Sequence, residues 1–238
     1  MNQFRRLHRY DPKLWQGKRR LLRFLLKTIG FSLLVRLDRV DGLENIPQDG
    51  PVIFFINHIA FVDPIAVLYV VKRDIVPMAK AEVYDLPFIG IFPKMWGVIP
   101  VRREDIDRGA IREALGVLKA GECLLLAPEG TRGVALQKGR DGAAYLASRS
   151  DAALVPVAIE GTVGFPAMRT SARWKHPGAQ IRFGKPFRFK PEFNHAKGEQ
   201  LNTMTDEAMY VLSRMLPEER RGEYTELKNA TQETIKWI

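Results

Sequence analysis

The chain has 238 residues, of which 46% are apolar and 27% charged, a composition that suits one globular α/β domain and excludes a disordered polymer or two sizeable domains. Its single cysteine, Cys123, excludes an internal disulfide and any multi-cysteine metal site. The net charge of +10 is uneven: residues 1–39 hold eleven Lys and Arg against Asp11 and Asp38, and the rest of the chain is nearly neutral. An arm so basic seeks an anionic partner, either a phospholipid surface or a nucleic acid. Leu14, Trp15, Leu21, Phe24, Leu25 and Leu34 recur between its charges at roughly helical spacing, which favours an amphipathic helix lying on a membrane. The same pattern suits a helix packed on a sheet with its charges solvated. Thr28 to Val35, the longest uncharged piece, is too short to span a bilayer, and no cleavage site of a signal peptide follows it.

Val40 to Gly50 is turn-rich. Val52 to Ile56 reads as a buried strand bounded by Gly50-Pro51, and a helix is expected from Pro64 to Lys72 with Asp63 as its N-cap. Asp74 to Ala79 and Gly97 to Val101 read as short strands. Between them, Glu82 to Trp96 carries Pro87, Gly90 and Pro93, and broken helices are expected. A well-patterned helix runs from Asp105 to Lys119. Cys123 to Ala127, Leu154 to Ile159 and Ile181 to Phe183 are strands, and Leu201 to Leu216 is a helix. The tail from Pro217 is polar, with a helix expected near its end. Strands alternating with helices predict an α/β fold, a single domain with a largely parallel central sheet flanked by helices. The organisation expected is a membrane-associating arm over 1–39, an α/β domain over 40–216 and a tail over 217–238.

Three loops carry chemistry. Asn57-His58 closes the strand Val52–Ile56, and Asp63 follows after four residues. A neutral imidazole can take a proton from an attacking hydroxyl, and a carboxylate on its other nitrogen can fix the tautomer. An isolated His-x4-Asp is a weak signal, and on its own the pair better suits an ordinary loop histidine and a plain helix cap. Arg102-Arg103 follows the candidate strand Gly97 to Val101, where a guanidinium fork fits a phosphate. Pro128-Glu129-Gly130-Thr131-Arg132 follows Cys123–Ala127, bringing a backbone close-approach point, a hydroxyl and a second cation. Cys123 itself lies inside an apolar run and reads as core.

Taken together and in this order, the loops are far more specific. The sequence resembles the glycerolipid acyltransferase family that includes the 1-acylglycerol-3-phosphate (lysophosphatidate) acyltransferases. The resemblance rests on Asn57, His58 and Asp63; on Gly97, Ile99 and Arg103; on Pro128 to Arg132 in full; and on Val155-Pro156-Val157, so that it covers roughly Val40 to Pro186. The chain departs from the family pattern at Ala60, Ala127 and Gly133, and a downstream basic-glycine pair aligns at either Lys138-Gly139 or Arg140-x-Gly142.

The resemblance implies transfer of a fatty acyl group from acyl-CoA or acyl carrier protein to the sn-2 hydroxyl of lysophosphatidate, giving phosphatidic acid in phospholipid biosynthesis. It implies His58 as base and Asp63 as its orienting partner. Arg103, helped by Lys80 and Arg132, would hold the acceptor phosphate, with Asn57, Glu129, Gly130 and Thr131 also at the substrate. No metal and no cofactor is expected, the thioester being a co-substrate. Partners expected are lysophosphatidic acid, the acyl thioester, an anionic membrane surface and acyl carrier protein, with no nucleic acid. The location expected is monotopic, on the cytoplasmic face of a membrane. Rival readings are another acceptor (glycerol 3-phosphate, a different lysophospholipid or a glycolipid), an acyl hydrolase using Cys123 or a serine, and a non-catalytic module for anionic surfaces. Leu86 to Trp96 is either part of an acyl tunnel or ordinary core.

Overall fold

A computed structural model of the chain describes residues 10–30, 34–87, 89–102 and 106–238. The strands are β1 Leu37–Asp41, β2 Val52–Ile56, β3 Ile75–Lys80, β4 Ile99–Val101, β5 Cys123–Leu126, β6 Ala153–Glu160, β7 Ala179–Phe183, β8 Phe187–Phe189 and β9 Ile235–Trp237. The helices are α1 Lys13–Leu25, α2 Asp63–Val70, α3 Ile91–Trp96, α4 Arg108–Lys119, α5 Gly142–Ala147 and α6 Glu199–Ser213. Among the described residues one sheet runs in the order β1-β7-β6-β2-β5-β3-β4, and β8 joins β6 to β9. Five of its eight pairings are parallel; those of β6 with β7, β6 with β8 and β8 with β9 are antiparallel.

β2 lies between β5 and β6 at the centre, and all five of its residues are buried. Side chains alternate across a strand, so Val52, Phe54 and Ile56 enter the core beneath α1, α2 and α3. Ile53 and Phe55 enter the opposite core beneath α4, α5 and α6. A strand covered on both faces has no polar side, which is why this stretch reads as a continuous apolar run. Because β2, β3, β4 and β5 run parallel, their carboxyl ends share one edge, where open α/β sheets place ligands.

The broken helices expected between residues 82 and 96 are found as a 3-10 turn at Ala81–Asp85 followed by α3. Helix α4 begins at Arg108 because the Asp107 carboxylate accepts from the Gly109 and Ala110 N–H groups; Asp105 lies outside the described residues. The end of the chain corrects the expected helix. Ile235 and Trp237 alternate inward on β9, and the Trp237 ring meets Phe187 edge-on at 5.6 Å.

Two basic residues of the arm turn inward instead of toward an anionic surface. Arg19 is fully buried, donates from Nε to the Trp96 carbonyl at 2.9 Å and pairs through Nη1 with Glu122 at 2.9 Å. Arg23 donates to the Lys72 and Arg73 carbonyls and to Asp74. Leu22 and Leu26 are buried on the same side, whereas Leu14, Leu21, Phe24 and Leu25 are exposed. The Trp15 ring lies where a Cβ on Gly97 would stand, within 2.7 Å, and Gly97 has φ +76°, so two constraints require glycine there. The sheet also takes in residues 37–39, because the expected end of the arm falls inside β1.

Candidate active site

The apolar run of β2 ends at Ile56, and Asn57 fastens its end to β6. The Asn57 amide donates to the Ile159 carbonyl at 2.8 Å and accepts from the Ile159 N–H at 2.8 Å. Asn57 is therefore committed to the sheet, not turned toward the substrate side as expected. The next residue, His58, is part-exposed, with Nδ1 3.0 Å from Asp63 Oδ2. Asp63 is the first residue of α2 and is fully buried, but it does not cap that helix. Its Oδ2 turns back to accept from the Ile59 N–H at 2.6 Å and the Ala60 N–H at 2.7 Å. Pro64 tolerates the first turn because its missing N–H has no intrahelical partner to lose. With a carboxylate as acceptor, the proton of the pair sits on Nδ1, and Nε2 keeps its lone pair.

The Pro128–Arg132 loop leaves β5 beside this pair and is tied to it twice. The Gly133 N–H donates to the His58 carbonyl at 2.8 Å, and the Glu129 carboxylate accepts the His58 N–H at 3.3 Å. Glu129 also accepts the Gln137 N–H at 2.8 Å. It is buried and does not line the cavity, so its place is beneath the loop instead of at the substrate. Gly130, with φ +69°, turns the chain over it. Gly130, Thr131 and Arg132 line a cavity of about 1470 Å³ together with His58 and Lys80. Arg132 is exposed, and its side chain makes no ion pair or hydrogen bond among the described residues. Lys80, expected to help hold phosphate, is paired with Glu82 at 2.9 Å. Arg103 lies outside the described residues.

Cys123 is buried within β5, and burial pushes its thiol up to about 12, which removes it as a nucleophile. The Leu86–Trp96 segment divides. Ile89, Phe92 and Pro93 line the cavity, whereas Trp96 is core and donates from Nε1 to the Ile75 carbonyl at 2.8 Å. The sequence reading passed over Gln137 and the arginines on α4, Arg108 and Arg112, whose one-turn spacing was the available signal.

Glu129 makes the loop sensitive to pH. Burial lifts its carboxyl from 4.5 to about 7, the Asp63 charge adds to this, and the N–H groups of Gln137 and His58 pull the other way. Below pH 4.5 the folded and unfolded chains both hold the proton. Between 4.5 and 7 only the folded chain holds it, so stability falls as pH rises, by on the order of 3 kcal/mol. Glu129→Gln removes this titration. Urea unfolding of both proteins at pH 4.5 and 7.5 should show the variant gaining on the parent by that order, and a constant gap would exclude it.

An α/β sheet with a His–Asp pair on a strand-to-helix loop, beside a largely apolar cavity, defines the class of site. A family model described as Acyltransferase matches residues 39–160, just over half of the chain, and the chain belongs to that family. It is 34% identical over 130 residues to the 1-acyl-sn-glycerol-3-phosphate acyltransferase of Borreliella burgdorferi, covering 53% of this chain and 52% of that one. It is 29% identical over 170 residues to the protein of the same name from Bacillus subtilis, covering 71% and 82%. The chain spans about half the length of the first curated relatives it matches. The crystal structure of the 1-acyl-sn-glycerophosphate acyltransferase PlsC from Thermotoga maritima shares the fold, with a TM-score of 0.60 at 23% identity over 94% of this chain and 85% of that one.

Proposed function

We propose that the protein transfers a fatty acyl group from an acyl thioester to the sn-2 hydroxyl of 1-acylglycerol 3-phosphate. The observation that carries this reading is the His58–Asp63 pair at the cavity wall with the unpaired Arg132 on the same wall. Support also comes from the family and from the names of its relatives.

In the reaction, His58 Nε2 takes the hydroxyl proton as the oxygen attacks the thioester carbonyl. The C–S bond breaks, and the imidazolium returns its proton to the leaving thiolate. Asp63 holds the ring in the tautomer this requires and stabilises the imidazolium. Arg132, with Arg103, grips the acceptor phosphate and sets the hydroxyl beside Nε2; orientation of this kind replaces a bimolecular encounter. The scheme calls for no metal or cofactor, since the thioester arrives activated. Purified protein incubated with labelled acyl-CoA or acyl carrier protein and a panel of acceptors should label lysophosphatidate first. Preference for glycerol 3-phosphate or for a phosphate-free acceptor would overturn the assignment.

The apolar cavity wall takes the donor's fatty chain. Ala79→Phe should shorten the preferred acyl chain, because Ala79 lines the cavity and is only half-buried. An unchanged chain-length profile would exclude that role. Gly90 is unsuitable for such a test, since a Cβ there meets the Tyr84 carbonyl oxygen at 2.3 Å and would break the turn.

Such an enzyme meets its acceptor at a bilayer surface, with the cytoplasmic leaflet as its anionic partner. Among the described residues no helix is long and apolar enough to cross a membrane. Leu14, Leu21, Phe24 and Leu25 of α1 are exposed, as are Ile89 and Ile91 at the start of α3, on which α1 packs. This apolar rim, with the arm's charge, suits insertion into one leaflet. Leu21→Glu combined with Phe24→Glu should lower partitioning onto anionic vesicles by about tenfold or more, and unchanged co-sedimentation would remove the rim's assigned role.

A further inference from the structure

The apolar lining of the cavity divides by sheet face. Leu26, Phe61, Ile65, Leu68, Phe92 and Val98 belong to the core under α1, α2 and α3. Ile111, Leu115, Tyr145, Leu146 and Leu201 belong to the opposite core under α4, α5 and α6. His58, Gly130, Thr131 and Arg132 line the cavity between the two limbs, beyond the carboxyl ends of β2 and β5. The donor's fatty chain occupies one limb, and with the acceptor's own sn-1 chain left in the leaflet the other limb is still to be explained.

Charge separates the two. Seven arginines, Arg20, Arg102, Arg108, Arg112, Arg132, Arg140 and Arg214, make no side-chain hydrogen bond or ion pair among the described residues. Five of them, all but Arg20 and Arg214, line this one cavity. Elsewhere among the described residues, Arg20 and Arg214 apart, guanidinium groups are held by partners, as Arg19 is by Glu122, Arg73 by three carbonyls and Arg182 by Glu160. One phosphomonoester takes one or two guanidinium forks, so the acceptor accounts for Arg132 and Arg103 and leaves a surplus. Five guanidinium groups against two carboxylates of the lining, Asp107 and Asp141, leave a positive excess that favours a bound anion. Arg108 and Arg112 stand one turn apart on α4, next to Ile111 and Leu115.

The donor in the proposed reaction has two parts. Its fatty chain is wholly apolar. Its carrier arm is amphipathic, with amides and methyl groups along its length and a phosphate at the far end. We infer that the limb under α4 and α5 receives this arm, a phosphopantetheine thioester, and that Arg108 and Arg112 grip its phosphate. The fatty chain then runs into the limb under α1, α2 and α3, and the thioester carbonyl lies between them beside His58. The inference rests on the acyl-transfer reading. The same arm is carried by coenzyme A and by a carrier protein.

The test is steady-state kinetics of Arg108→Glu combined with Arg112→Glu, using acyl-CoA, acyl carrier protein and an acyl-pantetheine that lacks the phosphate. The donor KM should rise about tenfold or more for a phosphate-bearing donor, with kcat and the lysophosphatidate KM unchanged. The phosphate-free donor should serve parent and variant equally, and Arg108→Lys with Arg112→Lys should keep most of the affinity. A rise with one carrier alone supports the site and identifies that carrier as its source. An unchanged donor KM with both carriers, or an equal loss with the phosphate-free donor, overturns the inference. If the parent transfers no acyl group from any donor, the acyl-transfer reading itself falls, a result distinct from parental turnover with an unmoved donor KM.

Discussion

Replacing His58 with Ala is expected to lower acyl transfer by about a thousandfold or more while leaving the fold intact. The imidazole is part-exposed, so its removal leaves no sealed void in the core. The neighbouring fastenings also survive, because the His58 N–H to Glu129 and the Gly133 N–H to the His58 carbonyl are backbone contacts. Asp63→Asn is expected to cost a comparable factor for a different reason. An amide offers Oδ2's present donors, Ile59 N–H, Ala60 N–H and His58 Nδ1, a poorer acceptor, and it stabilises the wrong ring tautomer. If the two side chains act as one unit, the double variant is no worse than His58→Ala alone. Steady-state rates of the three variants on lysophosphatidate decide this, and strictly multiplicative losses would separate the roles.

Replacing Glu122 with Ala is expected to destabilise the protein by about 3–5 kcal/mol. The Arg19 guanidinium is fully buried and its only carboxylate partner among the described residues is Glu122, so truncation leaves an uncompensated charge in the core. Tyr10 also donates to Glu122 and loses its acceptor in the same substitution. Glu122→Gln keeps an acceptor in place and should cost roughly half as much. Arg19→Met with Glu122→Leu removes both charges and should recover most of the loss, since desolvating an ion pair offsets much of its attraction. Urea unfolding provides the readout, and a loss under about 1 kcal/mol for Glu122→Ala would mean that α1 is held by its leucines alone. The cavity adjoins this helix as well, because α1 leads into Leu26, which lines the apolar limb.

The parallel sheet and its helices were legible in the sequence because a strand buried on both faces has no choice of composition, as Val52 to Ile56 illustrates. The His58–Asp63 pairing was legible too, since four residues and a following Pro64 allow only a tight turn, which local chemistry closes. β9 was missed because its three residues gain their partners only across the sheet, from β8. Asn57 and Glu129 were assigned to the substrate because a polar residue in a loop motif carries no record of the direction its side chain takes. Long-range hydrogen bonds set that direction: Ile159 claims Asn57, and Gln137 holds Glu129 beneath the loop.

Cations posed the same problem in sharper form. Arg19, Arg23, Arg108, Arg112 and Lys80 look alike as letters on amphipathic stretches, yet the first two are anchors, the next two face a cavity and the last is neutralised by Glu82. By itself the sequence determined the family motifs, the sheet and the His58–Asp63 pairing, because apolar runs and short turns are decided within a few residues. Which charges are satisfied inside the protein and which remain free for a ligand was decided only by tertiary structure. That depends on partners a hundred residues away, and a guanidinium is stabilised by whichever acceptor folding brings within hydrogen-bond reach.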